Sequence, residues 1–136
     1  MTTQQPVVRG AFCAQLPFGQ TSARTARRML GDLLAEVTTS DRLTADSLLV
    51  VHELVANGLA HGRPDELHQI EVSCSASSAE VEISVLDRGE GGSIGPRPPS
   101  QSRVDGRGLA IVEALSTSWA VDRSHGTRVS ARLAVQ

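Results

Sequence analysis

The sequence predicts an α+β fold: a two-layer sandwich with about three helices on one face of a mixed, mainly antiparallel sheet. Three observations lead there. Segments that alternate apolar with polar come as neighbouring pairs joined by short polar stretches, the pattern of antiparallel hairpins. Helical-period segments are interspersed among them, not alternated one for one, which disfavours a parallel βαβ array. The 136 residues suit a single domain with one core, of which about 100–150 residues is the common size.

The elements follow in order. Residues 1–6 are polar and aperiodic, and are expected to be disordered. Val7 to Leu16 is apolar and lightly alternating, closed by Pro17 and Gly19, and reads as an edge strand. A helix is expected from Thr21 or Ser22 to Val37, with Ala26, Leu30, Leu33, Leu34 and Val37 on one stripe. Asp41 or Thr44 is the expected N-cap of a second helix, which runs to His61 and stops at Gly62 and Pro64. That helix is apolar around nearly its whole circumference, so it should be buried.

Two strands come next, Leu67 to Ser75 and Ala79 to Asp87. Ile70, Val72 and Cys74 share one face of the first; Val81, Ile83 and Val85 share one face of the second. Residues 88–105 are rich in Gly, Pro and Ser with no hydrophobic period, as expected of a functional lid or a disordered segment. A third helix over Arg107 to Leu115 and a closing hairpin, Trp119 to Arg123 and Thr127 to Val135, complete the domain.

Composition removes several chemistries. All thirteen basic residues are arginine, and there is no lysine and no tyrosine. A Walker-A loop needs its lysine, so that class of NTPase is excluded. Lysine Schiff-base and tyrosine-nucleophile mechanisms go with it. A net charge of −2 gives no basic footprint for nucleic acid. Cys13 and Cys74 lack metal-like spacing and read as small reduced core residues. No apolar run approaches the roughly 20 residues of a membrane span, and the start lacks a signal-peptide pattern, so a cytoplasmic location is expected.

Four short segments carry the chemistry. Glu53 and Asn57 lie four apart on one face of the apolar second helix, and His61 continues the drift. A buried carboxylate and amide need partners; alone, they fit a structural pair as well as a functional site. Asp87 shares parity with Val81, Ile83 and Val85, so it points inward just before Arg88-Gly89-Glu90-Gly91-Gly92. That suits recognition of a donor on a planar ligand, or simply a turn. Gly106-Arg107-Gly108-Leu109 precedes the third helix, where free N–H groups and the helix dipole favour an anion; its plainer reading is a flexible joint. Thr127, after Gly126, shares parity with Val129, Ala131 and Leu133 and faces the interior.

In this order the four segments resemble the ATP-binding domain of the GHKL superfamily, the Bergerat-type fold of gyrase, histidine kinases and mismatch-repair ATPases. Glu53-Leu54-Val55-Ala56-Asn57 matches the N box, Asp87-Arg88-Gly89-Glu90-Gly91 the G1 box, Gly106-Arg107-Gly108-Leu109 the G2 box, and Gly126-Thr127 the closing turn. HELVANGLAHG, and GRGLAIVEAL followed by Trp119, look particularly like the anti-sigma-factor serine kinases. The resemblance implies ATP and Mg²⁺ as cofactors, with Asn57 on the metal and Glu53 as general base. It implies Asp87 on the adenine amino group supported by Thr127, Gly89 and Gly91 shaping the pocket, and Gly106, Arg107, Gly108 and Leu109 near phosphate.

It also implies partners: a sigma factor and its anti-anti-sigma antagonist, with homodimerisation common in the family and the first helix part of the partner surface. The sequence departs from the family at Ala110, where the usual GxGLG stretch ends in glycine, and in the proline-rich segment with Pro96, Pro98 and Pro99. No phosphoacceptor-histidine helix precedes the domain, which argues against a complete sensor histidine kinase. Two functions from different classes follow. One is a Mg-ATP-dependent protein serine/threonine kinase acting on the antagonist. The other is a non-catalytic binding module that sequesters a sigma factor, with nucleotide structural or absent.

Overall fold

The computed structural model describes residues 9–38, 40–89 and 102–135, with side chains from Gly108 onward in the last stretch. The element order is β1 (Arg9–Pro17), α1 (Thr21–Val37), α2 (Asp41–His61), β2 (Gln69–Ser77), β3 (Glu80–Asp87), α3 (Ser102–Leu115), β4 (Ser118–Asp122) and β5 (Thr127–Ala134). The strands form one sheet in the order β1-β2-β3-β5-β4. The α+β sandwich expected from the sequence is therefore present, with β1 at the predicted edge.

All four pairings are antiparallel, where a mixed sheet was expected. The reason is topological. After α3 the chain lays β4 at the outer edge, and β5 turns back to pair between β4 and β3. β3 and β4 run the same way but never become neighbours, so no parallel ladder forms.

The core lies between the sheet and α1 and α2. Ile70, Val72, Cys74, Ala76, Val81, Ile83, Val85, Val129, Ala131 and Leu133 supply the sheet side. Ala26, Leu30 and Leu34 on α1 and Val50, Val51, Leu54 and Val55 on α2 meet them at 0–1% exposure. At roughly 1.5–3 kcal/mol per fully buried aliphatic side chain, this layer is the main source of stability. α1 lies against β1 and β2, α2 against β3 and β5, and α3 against α2 and β4. No helix among the described residues is long and apolar enough to cross a membrane.

Several expectations are corrected. Ser40, not Asp41 or Thr44, caps α2: its hydroxyl accepts from the Leu43 N–H at 3.1 Å. α2 is not buried all round, since Leu49 is 43% exposed and Ala45 and Ala60 face outward. A helix laid on one face of a sheet in a two-layer sandwich keeps its outer flank open even when its residues are apolar. Cys13 is exposed, because strand parity turns Phe12, Ala14 and Leu16 toward the helices and Cys13 away. Cys74 is buried, and burial pushes its thiol up to about 12. α3 begins at Ser102, five residues ahead of the expected Arg107, so Gly106 and Gly108 lie within the helix and not in front of it.

Candidate functional site

The C-terminal end of α2 meets the C-terminal end of β3, and small residues let them approach. Asp87 ends β3 on its inner face and is 6% exposed. Its Oδ1 accepts from the backbone N–H of Gly89 and, at 3.3 Å, from that of Arg63. The backbone of Arg88 donates to the Arg63 carbonyl at 2.8 Å, tying the two chain segments together. A carboxylate so held is fixed in position by main-chain donors on either side.

Gly62 explains itself here. Its φ of −94° is one any residue adopts, so it is not a left-handed helix stop. A Cβ on Gly62 would lie 2.2 Å from Asp87 Cγ, and one on Gly58 would lie 2.8 Å from Ile70 Cδ1. The glycines are there because the helix end passes over the carboxylate. Sequence reasoning passed over Gly58, although a glycine inside a helix, costing about 1 kcal/mol relative to alanine, is the signal that could have found it. It also missed the Arg63 N–H, a main-chain contact that side-chain patterns do not show.

Thr127 is the register partner of Asp87 on β5. A Cβ at Gly89 would come 2.4 Å from Thr127 Oγ1, so Gly89, Asp87 and Thr127 form one close-packed floor. Gly126, at φ +79°, brings its backbone against the Asp87 carbonyl, where a Cβ would sit at 2.3 Å. This is a position that only glycine fills without strain.

Toward the middle of α2, Glu53 and Asn57 are both half-buried on the same helix face. A Cβ at Gly108 would lie 3.0 Å from Glu53 Oε1, so α3 abuts the carboxylate. His52 Nε2 stands 4.0 Å from Glu53 Oε2. His61, at the end of α2, is exposed. Gly91 lies outside the described residues; Gly106 and Arg107 are described only as part of the α3 backbone. Of the predicted set, the structure thus gathers Glu53 with Gly108 at one place, and Asp87 with Gly89 and Thr127 at another, along a single helix. Most of the stretch expected to be a lid, residues 90–101, is likewise outside the described residues.

Two concavities among the described residues lie elsewhere. Grooves of about 510 and 440 Å³ lie on the helix-free face of the sheet, among Ser75, Glu82 and their neighbours. They are shallow troughs between polar strands and contain none of Glu53, Asn57 or Asp87. Chemistry, not size, marks the candidate site.

A family model described as the histidine kinase-like ATPase domain matches residues 16–133 of the chain. The chain belongs to the histidine-kinase-like ATPase domain family. Among solved structures it is similar to the RsbU and RsbW domains of Rv1364c from Mycobacterium tuberculosis, at 25% identity and a TM-score of 0.70. The match covers 92% of this chain and 32% of that one, so this chain corresponds to about a third of the longer protein. A histidine-kinase-like ATPase domain binds nucleotide, and the glycine-lined floor around Asp87 lies within the matched residues.

The donor chemistry also fits a hard cation. The half-buried Asn57 amide offers an oxygen ligand, and Mg²⁺ is typically held by one or two protein oxygens together with substrate phosphates and water.

Proposed function

We propose that the chain is an ATP-binding anti-sigma factor of the serine/threonine kinase type, which transfers the γ-phosphoryl group to an anti-anti-sigma antagonist. The observation that carries this reading is the placement of two carboxylates along α2. Asp87 underlies Gly58 and Gly62, and Glu53 faces Gly108 five to nine residues earlier, about 8–14 Å along the helix axis. A nucleotide lying along α2 would put its base over Asp87 and its phosphates beside Glu53. The likeness to a structure that includes an RsbW domain supports the same reading.

Each residue then has a task. Asp87 accepts from the exocyclic amine of adenine, and Thr127 supports that contact. Gly89 keeps the pocket wall thin enough for a planar ring, the task the sequence motif also gives Gly91. Gly106, Arg107, Gly108 and Leu109 serve the phosphate end, where arginine takes the charge-neutralising part in a protein without lysine. Asn57 would hold Mg²⁺, which neutralises phosphate charge when bound. Glu53 takes the proton of the acceptor hydroxyl as its oxygen bonds to the γ-phosphorus. The bond from that phosphorus to the bridging oxygen breaks, and ADP leaves.

The test is transfer of labelled γ-phosphate to the cognate antagonist, followed by mapping of the labelled residue. Glu53→Ala is expected to lower transfer by about 10²–10⁴, the usual worth of a positioned general base, while nucleotide binding persists. Unchanged transfer by that variant would remove Glu53 from the role. Binding of the antagonist and the sigma factor without any transfer would favour the non-catalytic module.

A further inference from the structure

His52 precedes the proposed base and is not needed by any step above. Its Nε2 stands 4.0 Å from Glu53 Oε2, whereas its Nδ1 is buried with no hydrogen-bond partner. Among the described residues no arginine pairs with Glu53, whose carboxylate has this imidazole at 4.0 Å. We infer that His52 is the positioning residue for Glu53, carrying its proton on Nε2 and donating it to the carboxylate. The inference rests on the proposed kinase reading for its consequence, though not for its geometry.

The choice of tautomer follows from counting donors. A neutral imidazole has one N–H and one bare nitrogen. With the proton on Nε2, the donor faces a carboxylate and only an acceptor is left unfilled in the buried position. With the proton on Nδ1, a buried N–H would have no acceptor, and a lone pair would face an anion. A buried N–H without an acceptor is costly, and the second arrangement incurs that cost together with the repulsion. A separation of 4.0 Å is beyond hydrogen-bond length, but catalytic contacts are often long before substrate arrives and tighten in the complex.

This arrangement suits a base. An arginine fork would hold the carboxylate bidentately and make it reluctant to accept a proton. A neutral N–H fixes one oxygen and leaves the other, Oε1, directed toward Gly108 and the phosphate end.

Two measurements test the assignment. The first is the two-bond ¹H–¹⁵N spectrum of the histidine rings in the nucleotide-free protein, at a pH above the range where imidazole ordinarily titrates. His52 is expected in the Nε2–H form, and Glu53→Ala is expected to weaken that preference. An Nδ1–H ring, or a ring indifferent to Glu53→Ala, overturns the inference.

The second uses variants at position 52 in the phosphoryl-transfer assay. The glutamine Nε2 reproduces the position of the imidazole Nε2, and the asparagine amide that of Nδ1. His52→Ala and His52→Asn should lower kcat by about 10–100-fold, the usual cost of misplacing a catalytic group, with the KM for ATP unchanged. His52→Gln should recover most of the loss. Equal losses in all three variants, or a rise in KM matching the fall in kcat, indicate a merely structural histidine and overturn the inference. A wild-type protein that transfers no phosphate refutes the kinase reading instead, and the ring spectrum then decides the role of His52 by itself.

Discussion

At the scale of single residues, the site is defined by what is missing from its side chains. Gly62 has ordinary backbone angles, yet a methyl group there would overlap the Asp87 carboxyl group. Gly62→Ala should therefore displace Asp87, lowering stability by about 1–3 kcal/mol, as overpacking usually does, and weakening nucleotide binding; denaturant melts paired with calorimetry would show both. The two thiols make a second contrast. Burial raises the Cys74 thiol to about 12, whereas Cys13 is exposed, beside Ser73 at 3.3 Å. Thiol-specific reagents should modify Cys13 promptly and Cys74 only on unfolding. The pH dependence has a definite sign. Because folding raises the Cys74 pKa from an ordinary value near 9, its contribution is complete below that value and is lost as pH rises toward 12. Cys74→Ala should flatten the fall in stability between about pH 9 and 12.

At the scale of elements, hydropathy periods determined what could be read. The α1 stripe, the inward parity of β2 and β3, and the inward Asp87 were all legible, because a buried face imposes a period on the sequence. Ends and caps were less so. Ser40, Asp41 and Thr44 all have capping side chains, and only three-dimensional geometry selects Ser40. Ser40→Ala should cost about 1 kcal/mol of stability, measurable by thermal or denaturant melts, whereas Thr44→Ala should cost less. The start of α3 is not legible because Gly106 and Gly108 look like helix boundaries, whereas the helix extends back to Ser102. The ion pairs on the outer sheet face, Glu71 with Arg128 and Glu82 with Arg132, were not predictable without the register, and side chains half exposed to water gain little from them.

At the scale of the whole molecule, order along the chain was more informative than any one motif. Glu53, Asp87, Gly108 and Thr127 are far apart in sequence, and the antiparallel order β1-β2-β3-β5-β4 brings β5 beside β3 so that Thr127 reaches Asp87. Length and composition bounded the fold but could not foresee that β5 would insert between β3 and β4, since strand order depends on long-range pairing. The all-arginine basic complement acquires a positive meaning in this setting. In the proposed nucleotide site, Asn57 and arginine would take the place of a lysine. The central claim is that Asp87 reads the base of a bound nucleotide. Titration calorimetry of Mg-ATP into the wild-type chain and Asp87→Asn tests it most directly. The account predicts saturable binding by the wild type and a loss of at least about tenfold in the variant, since a buried acceptor matched to a donor discriminates strongly. Equal binding by the two proteins, or no binding by the wild type, would contradict it.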